Sequence, residues 1–153
     1  MTRYFNTEGF CNPKEHYMVK LDNRLERIKR LLVERKKYFV INRGRQYGKT
    51  TTLRALEKYL MDEYIVLSLD FQQLGTKDFA DEATFSDAFA DIMIRAFHIN
   101  NTDDSEELLK PLSGIRTEGS IGLKDLFVRL SDVCRNSPRP MVLMIDEVDS
   151  ASN

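Results

Sequence analysis

Apolar residues along this chain fall into two kinds of run, one at helical spacing and one without gaps. Leu25, Ile28, Leu31 and Leu32 recur every three or four positions behind Asp22, which predicts an aspartate-capped amphipathic helix reaching about Arg35. Leu53, Leu56, Tyr59 and Leu60 repeat that spacing. So do Phe85, Phe89, Ile92, Met93 and Phe97 over roughly 82–98, a stripe read as core packing rather than a partner surface. A last helix, capped by Ser120, carries Leu123, Leu126, Phe127, Leu130 and Val133. The gapless runs are Tyr38–Ile41, a short buried strand, Tyr64–Asp70, a second one, and Met141–Ile145, a strand buried on both faces of a parallel sheet. Tyr17-Met18-Val19 is a candidate short strand near the start. Residues 100–121, full of Asn, Asp, Ser, Pro and Gly, predict a long mobile connection. From the 38–41 run onward the order is strand, helix, strand, helix, helix, strand, the pattern of an α/β sheet with right-handed crossovers.

Chemistry concentrates where the first of these strands meets the next helix. Arg43-Gly44-Arg45-Gln46-Tyr47-Gly48-Lys49-Thr50 lies between Tyr38–Ile41 and the Leu53 stripe, so strand, glycine-bearing loop, Gly-Lys-Thr and helix follow one another. That succession predicts a phosphate-binding loop. Backbone N–H groups of the loop (Gly44, Arg45, Gln46, Tyr47, Gly48) and of the helix start (Lys49, Thr50, Thr51) would face phosphate oxygens, where the helix dipole favours negative charge. Gly48 allows close backbone approach, Lys49 reaches the β/γ-phosphates and the Thr50 hydroxyl ligates Mg²⁺. The usual pattern asks for a glycine at position 43, where this chain has Arg43. Taken alone, Gly-Lys-Thr also fits a surface turn with an ordinary solvated lysine.

A second signal supports the first. Met141-Val142-Leu143-Met144-Ile145 ends in Asp146-Glu147, and acids at the carboxyl end of a sheet strand sit where open α/β sheets bind ligands. Asp146 would hold the Mg²⁺ shell opposite Thr50, and Glu147 would orient and deprotonate the attacking water. The strand-end segment Asp70-Phe71-Gln72-Gln73-Leu74-Gly75 is placed to border the same site. Together these residues predict a nucleoside triphosphate site, with ATP and Mg²⁺ as its ligands.

Composition narrows the remaining classes. At 153 residues, 42% hydrophobic and 31% charged, the chain fits one globular domain. Its net charge of −1 gives no global case for nucleic acid or an anionic membrane as partner. Arg24, Arg27, Lys29, Arg30, Lys36 and Lys37 on the polar face of the first helix are read as a solvated face relieved by Glu26 and Glu34. No apolar run approaches the roughly 20 residues of a membrane span, and the N-terminus has no apolar core of a secretory signal. Cys134 shares a face with Leu126, Leu130 and Val133, which predicts a buried reduced thiol. Cys11 and His16 make half of a metal site without a second pair. A reducing cytoplasm is the expected compartment.

With both motifs placed, the chain resembles the predicted AAA-type ATPases of bacteria and archaea, and more broadly P-loop ATPases with an added strand and a catalytic glutamate. Members of that group often write the loop as Arg-x-Arg-x-aromatic-Gly-Lys-Ser/Thr, which corresponds here to Arg43, Arg45, Tyr47, Gly48, Lys49 and Thr50. The resemblance is specific at 38–53 and 141–149. It implies a three-layer αβα fold with a mostly parallel sheet, the Walker A element at 43–51 and the Walker B element at 141–147. It also implies an organisation of 1–37, a segment and amphipathic helix ahead of the loop strand, followed by 38–153, an incomplete ATPase core. In the group two more strands follow the Asp-Glu strand, one of them inserting beside the loop strand. The sequence therefore reads as the N-terminal part of a longer protein, cut after its second acidic motif, with homo-oligomer contacts or downstream domains beyond it.

The expected function is Mg²⁺-dependent ATP hydrolysis by the intact protein, with Lys49 and Glu147 as its catalytic groups. Two alternatives remain at this stage: a slow nucleotide-gated switch or scaffold of the signalling type, and a nucleic-acid-dependent motor. The motor reading comes from Asp146-Glu147-Val148-Asp149, which also looks like a helicase box, although 153 residues leave no room for a second motor domain. A small-molecule kinase is disfavoured by Glu147, which suits water as nucleophile.

Overall fold

A computed structural model describes residues 22–41, 48–100 and 105–149. The chain divides into two compact units, Met1–Asp62 and Glu63–Asn153. It is α/β and mostly helical, with one two-stranded parallel sheet among the described residues. No helix among these residues is long and apolar enough to cross a membrane. The expected strand at 17–19 and the Cys11–His16 pair lie outside them.

In the first unit, helix α1 (Asp22–Ile28) runs into a wider π-helical turn at Lys29–Val33. Of the predicted stripe Leu25 is buried and Ile28, Leu31 and Leu32 are half-buried, while Val33, outside that spacing, is buried as well. The run closes as a Schellman-type turn: Lys37 N–H donates to the Leu32 carbonyl at 3.0 Å and Lys36 N–H to that of Val33 at 2.9 Å. That turn needs a left-handed residue, and Lys36 supplies it at φ 53°. A side chain there is strained, because Cβ crowds the following carbonyl. Lys36→Gly is therefore expected to stabilise the protein by about 0.5–1 kcal/mol, seen as a higher thermal midpoint. An unchanged or lower midpoint would show that the turn is not held this way in solution.

The segment 38–41 departs from expectation. It forms no strand, and Tyr38 and Val40 are exposed while Phe39 and Ile41 are half-buried. A strand requires a neighbour for its backbone N–H and C=O groups, and no described residue pairs with this one. Helix α2 (Lys49–Leu60) follows as predicted, with Leu56 and Leu60 fully buried. Tyr59 faces outward, 41% exposed, under the Lys29 ammonium at 5.8 Å from the ring centroid.

In the second unit, β1 (Ile65–Asp70) pairs in parallel with β2 (Met141–Asp146), Ile65 beside Met141 through to Asp70 beside Asp146. A parallel pair needs a long crossover, and here it carries α3 (Glu82–Asn100), α4 (Ser105–Ser113), α5 (Ile115–Glu118) and α6 (Leu123–Asn136). The core joins Ile65, Leu67 and Leu69 to Phe89, Ile92, Met93 and Phe97 of α3, with Leu109, Leu112 and Ile115 alongside. Phe71, Phe85 and Phe89 meet edge-on or stacked at centroid distances of 5.5–6.5 Å. Asp81 begins α3: its Oδ1 accepts the Thr84 N–H at 2.8 Å, and the bonds from Thr84 hold its carboxyl below the usual range.

Four expectations are corrected in this unit. The supposed connection at 100–121 contains α4 and α5, because Leu109, Leu112 and Ile115 reach the core from among polar neighbours. Ser120 does not cap α6. The N-cap is Gly122, and Glu82 Oε2 at the start of α3 accepts the Leu123 N–H at 3.2 Å. A Cβ at position 122 would stand 3.0 Å from that oxygen, so glycine leaves room for the carboxylate. Cys134 is a free thiol as expected, but the residue is exposed; partial burial still pushes its thiol pKa up. Finally, β2 is not buried on both faces: Met144 is buried but Leu143 is 42% exposed, whereas β1 is apolar and covered from Ile65 to Leu67. The difference follows from packing: Ile65, Leu67 and Leu69 of β1 share the core with α3, against which β2 sets only the partly buried Met141 and Ile145.

Candidate functional site

The candidate residues fall in both compact units, and each group has its own local geometry. Arg43, Gly44, Arg45, Gln46 and Tyr47 lie outside the described residues. From Gly48 the chain is defined. Gly48 adopts φ 77°, ψ 23° and serves as N-cap of α2. Its missing side chain matters for conformation rather than room, since a Cβ there would meet nothing within 4 Å. The left-handed turn sends the chain straight into the helix, so Lys49 and Thr50 occupy its first two positions. Lys49 is half-buried, Thr50 exposed and Thr51 buried at 7% exposure.

Thr52 fixes this start, a role the sequence reading missed. Its N–H donates to the Gly48 carbonyl at 2.9 Å, and its Oγ1 donates to the same oxygen at 2.8 Å, with the residue 1% exposed. The backbone N–H groups of residues 49–51 precede that first helical bond, so no carbonyl within the helix can accept them. They mark the electropositive end of α2, where an anion is favoured. The run of three threonines at 50–52 is the only sequence signal for Thr52: an interior hydroxyl needs a nearby acceptor.

In the second unit the acids stand at the carboxyl end of the sheet. Asp146 closes β2, half-buried, and its Oδ1 accepts the Glu147 N–H at 2.9 Å. Glu147 has φ 56°, a left-handed conformation uncommon outside glycine and asparagine. Residues 148 and 149 begin a 3₁₀ turn, both exposed.

Asp70 ends β1 at the position paired with Asp146. Register partners on adjacent parallel strands share a face, about 4.8 Å apart, so two half-buried carboxylates stand side by side at the strand ends. Asp70 Oδ1 accepts the Gln72 N–H at 2.8 Å and so opens the 3₁₀ turn Phe71–Gln73. Two residues back on this face, the Ser68 hydroxyl is buried with no hydrogen-bond partner among the described residues. The sequence reading had Asp70 bordering the site. It missed the register with Asp146, for which the signal was two apolar runs each ending in aspartate. Among the described residues no group of three or more His, Cys, Asp or Glu side chains converges to hold a metal ion by itself.

Comparison with known proteins adds no further identification: no protein family, curated protein or solved structure matches the chain.

Proposed function

We propose that the chain is an ATP-binding P-loop domain of the AAA-like type, and that the protein hydrolyses ATP with Mg²⁺. The observation that supports this most is Gly48, left-handed and opening α2 so that Lys49 and Thr50 take its first turn. The residues fit the ligand chemically. Amide N–H groups at a helix start and a lysine suit phosphate oxygens, while a threonine hydroxyl and an aspartate suit a hard divalent cation. On this reading Lys49 and the backbone of 44–51 hold the triphosphate, and Thr50 and Asp146 hold Mg²⁺. Bound there, Mg²⁺ neutralises charge on the phosphates.

Glu147 takes the role of base. A water oxygen bonds to the γ-phosphorus as the bond to the β–γ bridging oxygen breaks, and the water proton passes to the Glu147 carboxylate. The leaving electron pair stays on ADP. A cytoplasmic setting belongs to the same reading, resting on two cysteines without a Cys-x-x-Cys pair.

Calorimetric titration tests the proposal directly. Mg·ATP is expected to bind with one saturable site, and Asp146→Asn is expected to raise the Mg²⁺ concentration needed for half-binding by about tenfold, the loss of one charge-assisted interaction. A folded chain that takes up no Mg·ATP would overturn the reading.

A further inference from the structure

A surface outside the nucleotide residues carries its own chemistry. Between 22 and 41 the chain has seven lysines and arginines against three acids, a local net of +4 in a protein of net charge −1. The sequence reading treated this face as solvated and relieved by Glu26 and Glu34. That relief is absent among the described residues: no ion pair joins either carboxylate to Arg27, Arg30, Arg35, Lys36 or Lys37, and all five cations are exposed. The Schellman-type turn then sets Arg35, Lys36 and Lys37 immediately before Tyr38, whose side chain is fully exposed and stacks on no other ring among the described residues.

We propose that this surface, the cations of Arg35, Lys36 and Lys37 together with the Tyr38 ring that follows them, binds single-stranded nucleic acid. The inference does not depend on the nucleotide site. Unpaired cations match the phosphate backbone, and an exposed aromatic ring beside them matches an unpaired base, since stacking on aromatics with a basic track is how single strands are held. Paired bases in a duplex offer no free face to the ring. A lipid surface fits less well, because a basic amphipathic helix enters a bilayer by its apolar face, and on that face Leu25 is buried and Ile28, Leu31 and Leu32 are half-buried.

Fluorescence anisotropy with labelled oligothymidylate and the full chain decides the matter. Wild-type protein is expected to bind at low salt. Tyr38→Ala weakens binding about tenfold and Tyr38→Phe restores it, as stacking of one base requires. Replacing Arg35, Lys36 and Lys37 together by glutamine lowers the slope of log K against log salt by about two, at roughly 0.7 per neutralised phosphate on a single strand. Circular dichroism confirms that each variant is folded. Three outcomes overturn the proposal: no binding at low salt, equal binding by Tyr38→Ala, or binding only to phosphatidylserine vesicles.

Discussion

Lys49→Ala is expected to weaken Mg·ATP binding by at least about a hundredfold while leaving α2 folded in the free protein. On the proposed reading the Lys49 ammonium pairs with phosphate oxygens, and a charge-assisted contact of that kind is worth about 1.5–3 kcal/mol, with more lost when phosphate charge is left uncompensated. In the free protein the same ammonium sits in the first turn of α2, beside the positive end of the helix dipole, where a cation is disfavoured. Alanine also has the higher helix propensity. The helix itself is held by Leu56, Leu60 and the two bonds from Thr52 to Gly48, so replacement leaves it formed. Calorimetry reads the first effect and thermal denaturation the second. Loss of binding with a lowered melting midpoint would mean that the helix, not the lysine, had been damaged. Unchanged affinity would remove Lys49 from the site.

What the sequence made legible depended on whether an element carries its own reason to form. Helices α1, α2, α3 and α6 and strands β1 and β2 were readable because each has a sustained apolar period or an unbroken apolar run. The segment 38–41 has such a run too and still forms no strand, because a strand is a relation between two segments and its partner cannot be read from its own residues. Helix α4 was hidden for the opposite reason. Its apolar residues are few, Pro111 lies within it, and its position is fixed from outside by Arg129 of α6, which donates to the Pro111 carbonyl at 2.9 Å. Arg129 also pairs with Glu118 of α5, holding that carboxyl below its usual range. The α6 cap came from Glu82, 41 residues away, which no local pattern could indicate.

The candidate site divides in the same way. The places of Gly48, Lys49 and Thr50 at the start of α2 and of Asp146 and Glu147 at the end of β2 were readable because each belongs to a short local motif. The pairing of Asp70 with Asp146 was not, because strand register depends on the whole crossover between them. Phe127 shows the cost of reading period alone: it belongs to the α6 stripe by spacing, yet it is 61% exposed while Leu126 beside it is buried.

The second large effect is expected at Glu147, where the backbone separates stability from chemistry. Glu147→Gln keeps the shape and the hydrogen-bonding end of the side chain but removes its ability to take a proton. On the proposed mechanism turnover falls by about 10²–10⁴-fold, the usual contribution of a general base, with Mg·ATP affinity nearly unchanged. Glu147→Gly removes the same base and also the Cβ that strains a residue at φ 56°. It is expected to raise stability by about 1 kcal/mol while turnover falls as far as in the glutamine variant. Were Glu147 without a catalytic role, the glycine variant would keep its turnover. Strain retained at a position where glycine is more stable points to a side chain needed for its function. Phosphate release by the two variants, measured beside their melting midpoints, separates these accounts. Turnover undiminished in Glu147→Gln would remove the base, and a lower midpoint in Glu147→Gly would remove the strain.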